Sequence, residues 1–221
     1  MTSVEPHLGD SVQQDTACNH ELYTVVARPF RCTTVCNCHK ACAERITTII
    51  SLSRIGSGAD PRPLLEYDDA FWDRTLAVNL TAPYLLCKAA LPGMVARRWG
   101  RVINVASINS RIPSPHAAAY VASKHGLLGL TRVLALEVAG VGITVNAICP
   151  GPVHTAMNDR RVAYDARQRG VSFEEQERSL TLMGRRIEPD EVAPLAVYLA
   201  GDDARMMTGQ ALNLDGGICM A

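Results

Sequence analysis

From residue 55 to the C-terminus, short apolar runs alternate with longer apolar stretches, and loops rich in glycine, proline and serine separate them. RVINVA (101–106), GITVNAI (142–148) and LNL (212–214) have strand length and are apolar on both faces. Residues 64–100 read as one or two helices, with Pro83 and Pro92 as kinks or breaks. Residues 117–140 read as a helix that is apolar nearly all the way round. GSGADPRP (56–63) and SINSRIPSPH (107–116) are loops, and CPGPVHT (149–155) is a rigid turn. Apolar strands alternating with helices predict an α/β domain built on a parallel sheet covered on both sides. Before residue 55 the pattern is poor, and only RITTIISL (45–52) reads as a strand. The chain therefore divides into an atypical segment, 1–54, and a regular region, 55–221.

Composition narrows the function classes. The 221 residues are 48% hydrophobic, with 22 basic against 22 acidic groups, which suits one globular core. Zero formal charge supplies no field for a polyanion, so neither nucleic acid nor an anionic membrane is expected as a partner. No apolar stretch reaches the roughly 18 residues of a membrane span. MTSVEPHLGD lacks the basic and apolar regions of a signal peptide, so a cytoplasmic location is expected. Five of the eight cysteines (Cys18, Cys32, Cys36, Cys38 and Cys42) fall in the first segment. The spacing in CTTVCNCHKAC, even with His39 added, misses the two-residue knuckle that grips zinc, so no metal site is expected.

The candidate chemistry centres on AAAYVASKHG (117–126), where Tyr120 and Lys124 are four residues apart on one helix. That spacing points both side chains from the same face. A cation beside a phenol favours the phenolate and is expected to draw its pKa down towards the working range. Ser107 follows the strand at 101–106, Asn79 sits in the preceding helical segment, and CPGPVHTAM follows the next strand. Ser107 and CPGPVHTAM thus lie at carboxyl edges of strands, where open α/β sheets hold ligands. Each also has a purely structural role open to it: Ser107 as a cap, Asn79 as the partner of a buried backbone group, Pro150-Gly151 as a turn. Arg160, Arg161, Arg167 and Arg169 form either a solvated helix face or a reception for an anionic substrate or carrier.

Taken together, GRVINVAS, AAAYVASKHGLLGLTR, GITVNAICPGPVHTAM, GRRIEPDEVAPLAVYLAGDDA and TGQALNLDGG closely resemble the second half of the short-chain dehydrogenase/reductases. Within that family the likeness is nearest to 3-oxoacyl-carrier-protein reductases, polyketide ketoreductases and 3-hydroxybutyrate-type dehydrogenases. The resemblance implies a Rossmann-like doubly wound parallel sheet, N-terminally truncated or altered. It implies an oxidoreductase interconverting a ketone and a secondary alcohol with NAD or NADP, the ketoreductase likeness tilting towards NADP. Tyr120 would be the general acid or base, Lys124 would tune it and bond the nicotinamide ribose, and Ser107 would polarise the substrate oxygen. Asn79 would hold a water relaying protons to Lys124. Pro150, Gly151, Val153 and Thr155 would flank the nicotinamide, and residues 156–186 would form a substrate lid. The implied substrate is a small ketone or alcohol, free or carrier-linked. The helix at 117–140, apolar on both faces, suggests a homo-oligomer, dimer or tetramer.

The family's first half is absent from this pattern. No Gly-rich pyrophosphate loop opens the chain, and the nearest candidate, IGSGAD (55–60), lies too late. A sheet without those strands is expected to leave an apolar edge open. Two outcomes remain: residues 1–54 are foreign to a genuine reductase, or the chain is an impaired or non-catalytic member that partners another subunit.

Overall fold

A computed structural model describes residues 22–28, 31–34, 48–53 and 55–220. Six strands form one sheet: β1 (Leu22–Arg28), β2 (Arg31–Thr34), β3 (Thr48–Ser53), β4 (Gly100–Val105), β5 (Ile143–Pro150) and β6 (Ala211–Leu214), in the order β2-β1-β3-β4-β5-β6. Strands β3 to β6 run parallel, Ile50 opposite Ile103 and Ile148 opposite Leu212. The helices are α1 (Asp69–Leu76), α2 (Ala82–Arg97), α3 (Ala118–Val138), α4 (Ala156–Arg169), α5 (Phe173–Arg178) and α6 (Pro189–Ala200).

Alternation along the strands builds the two halves of the core. On one face Ile49, Val102 and Val145 pack with Cys87 and Met94 of α2 and Leu134 and Val138 of α3. On the other, Ile103 and Ile148 pack with Leu199 of α6. Every residue of β5 is buried, as a strand covered on both faces must be. The sheet is thus covered on both sides, as the pattern implied, in the doubly wound α/β architecture that the resemblance implied.

Several local expectations change. The stretch 64–100 is two helices joined by a π-helical turn, Ala77–Thr81, after a 3-10 turn at Leu64–Glu66; its last residue, Gly100, already belongs to β4. Pro83 sits in the first turn of α2, where its missing N–H costs nothing, and Pro92 is accommodated inside that helix. Strand β5 runs on through Cys149 and Pro150. The loop at 107–116 contains a 3-10 turn, Ile108–Ser110.

The larger correction is at the sheet's edge. Strand β1 pairs antiparallel with β3, Leu22 opposite Ser53 and Val25 opposite Ile50, and β2 pairs antiparallel with β1. The backbone edge of β3 is therefore hydrogen-bonded, not open, and the sequence pattern had shown neither of these strands. Being antiparallel to β3, β1 brings its amino end to the edge of the sheet where β3 to β6 end.

Residues 160–186 also divide, into α4 and α5 with Gly170 between. Arg160, Arg167 and Arg169 are exposed, whereas Arg161 is buried. Arg186 is buried too and bonds Asp159 and Glu177 at 2.6 Å each, pinning both helices to the chain before α6. Among the described residues no helix is long and apolar enough to cross a membrane, and no cluster of His, Cys, Asp or Glu suits a metal. The cysteine-rich motif falls outside the described residues, apart from the backbone of its first three residues, 32–34, in β2.

Candidate active site

The carboxyl ends of β3 to β6 meet along one edge of the sheet, and the helix carrying Tyr120 and Lys124 passes beneath it. Ser107 leaves β4 with extended backbone and caps the 3-10 turn, its Oγ accepting from the Asn109 amide at 3.1 Å. The capping role and the candidate catalytic role therefore coexist, because the Ser107 side chain also acts on the Tyr120 hydroxyl and favours its ionised form. Burial raises the Tyr120 pKa above the usual phenol value, and the influence of the Ser107 side chain offsets only part of that.

Lys124 is 3% exposed, and its Nζ donates to the Val105 carbonyl at 2.8 Å. It lies 5.8 Å from the centre of the Tyr120 ring. Desolvation lowers its pKa to about 7, so near neutral pH much of its charge is given up. The expected depression of Tyr120 by a fully charged lysine is accordingly not what this pair displays. Burial acts on both groups and favours a protonated phenol beside a partly neutral amine.

This arrangement has a consequence for stability. Between about pH 7 and 10.5, Lys124 is protonated in the unfolded chain and largely neutral in the fold. The unfolded state then binds more protons, so stability rises with pH, by up to ~1.4 kcal/mol per pH unit for one group. Cys87 and Cys149, whose pKa values burial raises, act in the opposite sense. Lys124→Met should isolate the lysine's share: its stability gain over the parent is expected to be greatest at or below pH 7 and to shrink towards pH 10.5. Urea midpoints measured at three pH values check this, and a gain that stays constant with pH would refute it.

Asn79 is fully buried in the π-helical turn between α1 and α2. Its Nδ2 donates to the Ile55 carbonyl at 2.8 Å and to Ser123 Oγ at 3.1 Å, joining the segment after β3 to the helix that carries Tyr120. Its Oδ1 has no hydrogen-bond partner among the described residues. A buried amide oxygen left without a donor costs about 1–3 kcal/mol, and π turns are frequent at functional sites.

Pro150 ends β5, and Gly151 donates its N–H to the Leu214 carbonyl at 2.9 Å. A Cβ on Gly151 would lie 2.9 Å from the Asp215 Cα, so this close approach between the chains leaving β5 and β6 requires glycine. Val153 forms a parallel bridge with Ile187, and Thr155 caps α4 by accepting from the Asn158 amide at 3.2 Å. The structure thus places Lys124 beside the Tyr120 ring, with the Ser107 side chain acting on the same phenol, and ties Asn79 to that helix through Ser123. Pro150 to Thr155 form the neighbouring turn.

Three contributors were not singled out from the sequence. Ser123 anchors Asn79 and, one turn after Tyr120, donates to the Tyr120 carbonyl at 2.7 Å. Cys149 lies among Ser107, Tyr120, Lys124 and Arg111, its thiol shielded by burial. Arg111 lies close enough to lower the Cys149 pKa and donates to the Ala211 carbonyl, linking the loop after β4 to β6. For Ser123 a signal existed, since it shares a helix face with Tyr120; Cys149 and Arg111 become neighbours only through the sheet.

The cofactor implied by the resemblance fits this structure at one end. A buried lysine, a tyrosine and an orphaned amide oxygen supply polar groups suited to a nicotinamide ribose and its water. The pyrophosphate end has no counterpart among the described residues. Gly56 and Gly58 follow β3, but a Cβ on Gly56 would strike the Met157 side chain, and one on Gly58 would strike the Met157 carbonyl and Arg161. These glycines admit α4 rather than cradle a phosphate.

Comparison with known proteins agrees with the fold. A family model described as enoyl-(acyl carrier protein) reductase matches residues 34–219. The chain is 45% identical over 150 residues to a D-beta-hydroxybutyrate dehydrogenase of Rhizobium meliloti, covering 66% of this chain and 58% of that protein. It therefore spans little more than half the length of that curated relative. Among solved structures, a single-site variant of the actinorhodin polyketide ketoreductase with NADPH matches with a TM-score of 0.74 and 35% identity, over 80% of this chain and 68% of the other. A 3-oxoacyl-[acyl-carrier protein] reductase from Brucella melitensis matches with a TM-score of 0.69 and 30% identity, over 80% and 64%. A family match over most of the chain, carried on a doubly wound sheet with this Ser, Tyr and Lys at its carboxyl edge, places the chain in the short-chain dehydrogenase/reductase family.

Proposed function

We propose that the chain carries the proton-transfer and substrate half of an NAD(P)-dependent oxidoreductase acting between a ketone, of 3-oxoacyl type, and a secondary alcohol. The observation that carries this reading is buried Lys124 lying 5.8 Å from the centre of the Tyr120 ring, with the Ser107 side chain acting on the same phenol. Tyr120 keeps its proton at neutral pH and is poised as a general acid towards a carbonyl oxygen. Ser107 offers a second hydrogen bond to that oxygen and so stabilises the charge that develops there. Lys124, held by the Val105 carbonyl, places its ammonium where a nicotinamide ribose and Tyr120 both lie within reach. Asn79 Oδ1 accepts from a water that returns a proton to Lys124. Pro150, Gly151, Val153 and Thr155 orient the nicotinamide, which supplies the hydride when bound. The names of the relatives favour small ketone or alcohol substrates, free or carrier-linked.

A second reading is favoured by the antiparallel β1 and by the packing of Gly56 and Gly58 on α4: a member that does not hold a whole dinucleotide and serves as a subunit partner. Titration of the purified chain with NADH and NADPH, read by nicotinamide fluorescence and by turnover of a 3-oxoacyl thioester, separates the two. Binding with turnover upholds the enzyme. Neither, from a folded chain, upholds the partner. Val133 and Leu136 are 52% and 85% exposed on α3, which supports self-association. Mass photometry is expected to find a dimer or tetramer, and monomer alone would count against assembly.

A further inference from the structure

A cavity of about 400 Å³ lies between the loop 113–116 and the helices α4 and α5. Its polar lining comes from His116, Arg161, Asp165, Gln168, Arg169 and Gln176. Arg161 is only 8% exposed. Its Nε donates to Asp165 at 2.7 Å, its Nη2 donates to the Pro115 carbonyl at 3.1 Å, and its guanidinium lies 5.9 Å from the centre of the Tyr164 ring. Its Nη1 has no hydrogen-bond partner among the described residues. A guanidinium carries five N–H donors in a rigid fork, and both Nη1 donors are left unmet in a buried position. That is a costly arrangement for a charged group unless something accepts from it.

The surroundings are built to hold their shape. His116 adopts φ 59°, a left-handed conformation uncommon outside glycine, and its Nδ1 meets the Tyr164 hydroxyl at 2.9 Å. Pro113 and Pro115 fix φ on either side of Ser114. Backbone held this way by its neighbours is characteristic of ligand sites. Arg169 adds a second cation, its Nη1 bonded to Gln176 at 2.8 Å and to Ser179 at 3.1 Å. Asp165 is the one carboxylate in the lining, and its bond to Arg161 Nε offsets a single charge. The balance is positive.

We infer that this cavity is a binding site for an oxyanion, a carboxylate or phosphate group at the end of the substrate remote from its carbonyl. The loop that carries His116 leads directly into the helix bearing Tyr120, which puts the anion's anchor and the proton donor on one continuous segment. The link to substrate rests on the proposed reaction at Tyr120; the binding of the anion does not, and it is measured without cofactor or turnover.

Isothermal titration of the full chain at pH 7 and constant ionic strength, with malonate and separately with inorganic phosphate, tests the site. At least one of the two anions is expected to bind, and the tighter one identifies the group the cavity takes. Arg161→Lys, which keeps the charge and loses the fork, is expected to weaken binding tenfold or more. Arg169→Gln, at an exposed position, is expected to weaken it several-fold, with the unfolding midpoint measured alongside. Arg167→Gln, exposed on the same helix, is the control and should bind like the parent. No saturable heat with either anion from the folded parent overturns the inference, as does an equal loss in the Arg167 control or unchanged binding in Arg169→Gln. Anion binding that persists in a chain without NAD(P)H binding would separate this site from the failure of the proposed enzyme activity.

Discussion

Tyr120→Phe is expected to cut turnover of a 3-oxoacyl thioester by about 10²- to 10⁴-fold, the usual range for losing a positioned general acid. The substitution removes one oxygen and leaves the ring where it is. Ser107 still caps the turn through the Asn109 amide, so the local backbone has no reason to move. The unfolding midpoint should therefore change little while kcat falls. Because burial holds the Tyr120 pKa above the ordinary phenol value, reduction by the parent should not be lost through ionisation of this acid near neutral pH. Ser107→Ala is the companion variant, expected to lose about 10²- to 10³-fold if its hydroxyl stabilises the developing oxyanion. A Phe variant turning over at the parent's rate would remove Tyr120 from the chemistry. A large drop in its thermal midpoint would recast the residue as structural.

Gly58→Ala is expected to destabilise the fold by about 1–3 kcal/mol, the common cost of forcing extra volume into a packed position. The added methyl would fall on the Met157 carbonyl and against the backbone and Cβ of Arg161, and a backbone atom cannot swing aside as a side-chain end can. Helix α4 has to shift, and the Thr155 cap at its start shifts with it. Denaturant unfolding measures the loss. Gly129→Ala is the contrasting control, because nothing lies within 4 Å of a Cβ there and alanine favours the helix. Equal stability of the two variants would mean that the loop and α4 are not in firm contact.

The region from residue 55 onward was legible because periodicity and motif order are local properties. Val102, Ile103, Val145 and Ile148 announce strands buried on both faces, and Ser107, Tyr120 and Lys124 stand in the order in which the chain visits the sheet's edge. What was hidden depends on pairing at long range. LYTVVAR (22–28) is β-branched and aromatic enough for a strand, but its antiparallel match to β3 is a property of two segments together. The lysine's effect on Tyr120 was likewise misjudged from spacing alone, since helical separation gives proximity and says nothing of desolvation. Among the four arginines, charge patterning could not show which would turn inward; Arg161 did so because Asp165, one turn on, and the Pro115 carbonyl received it.

The wide turn at Ala77–Thr81 works as a phase shifter. In a regular helix each residue advances the side chains by about 100°. A turn closed by one residue more offsets everything after it by that angle. Before the turn, Phe71 and Thr75 are buried where α1 packs on α3; after it, Cys87, Ala90 and Met94 of α2 are buried against the strands. One nearly continuous rod thus addresses two different surfaces. Removing a single residue from this turn would rotate α2 out of the core and would carry Asn79 away from Ile55 and Ser123 in the same movement.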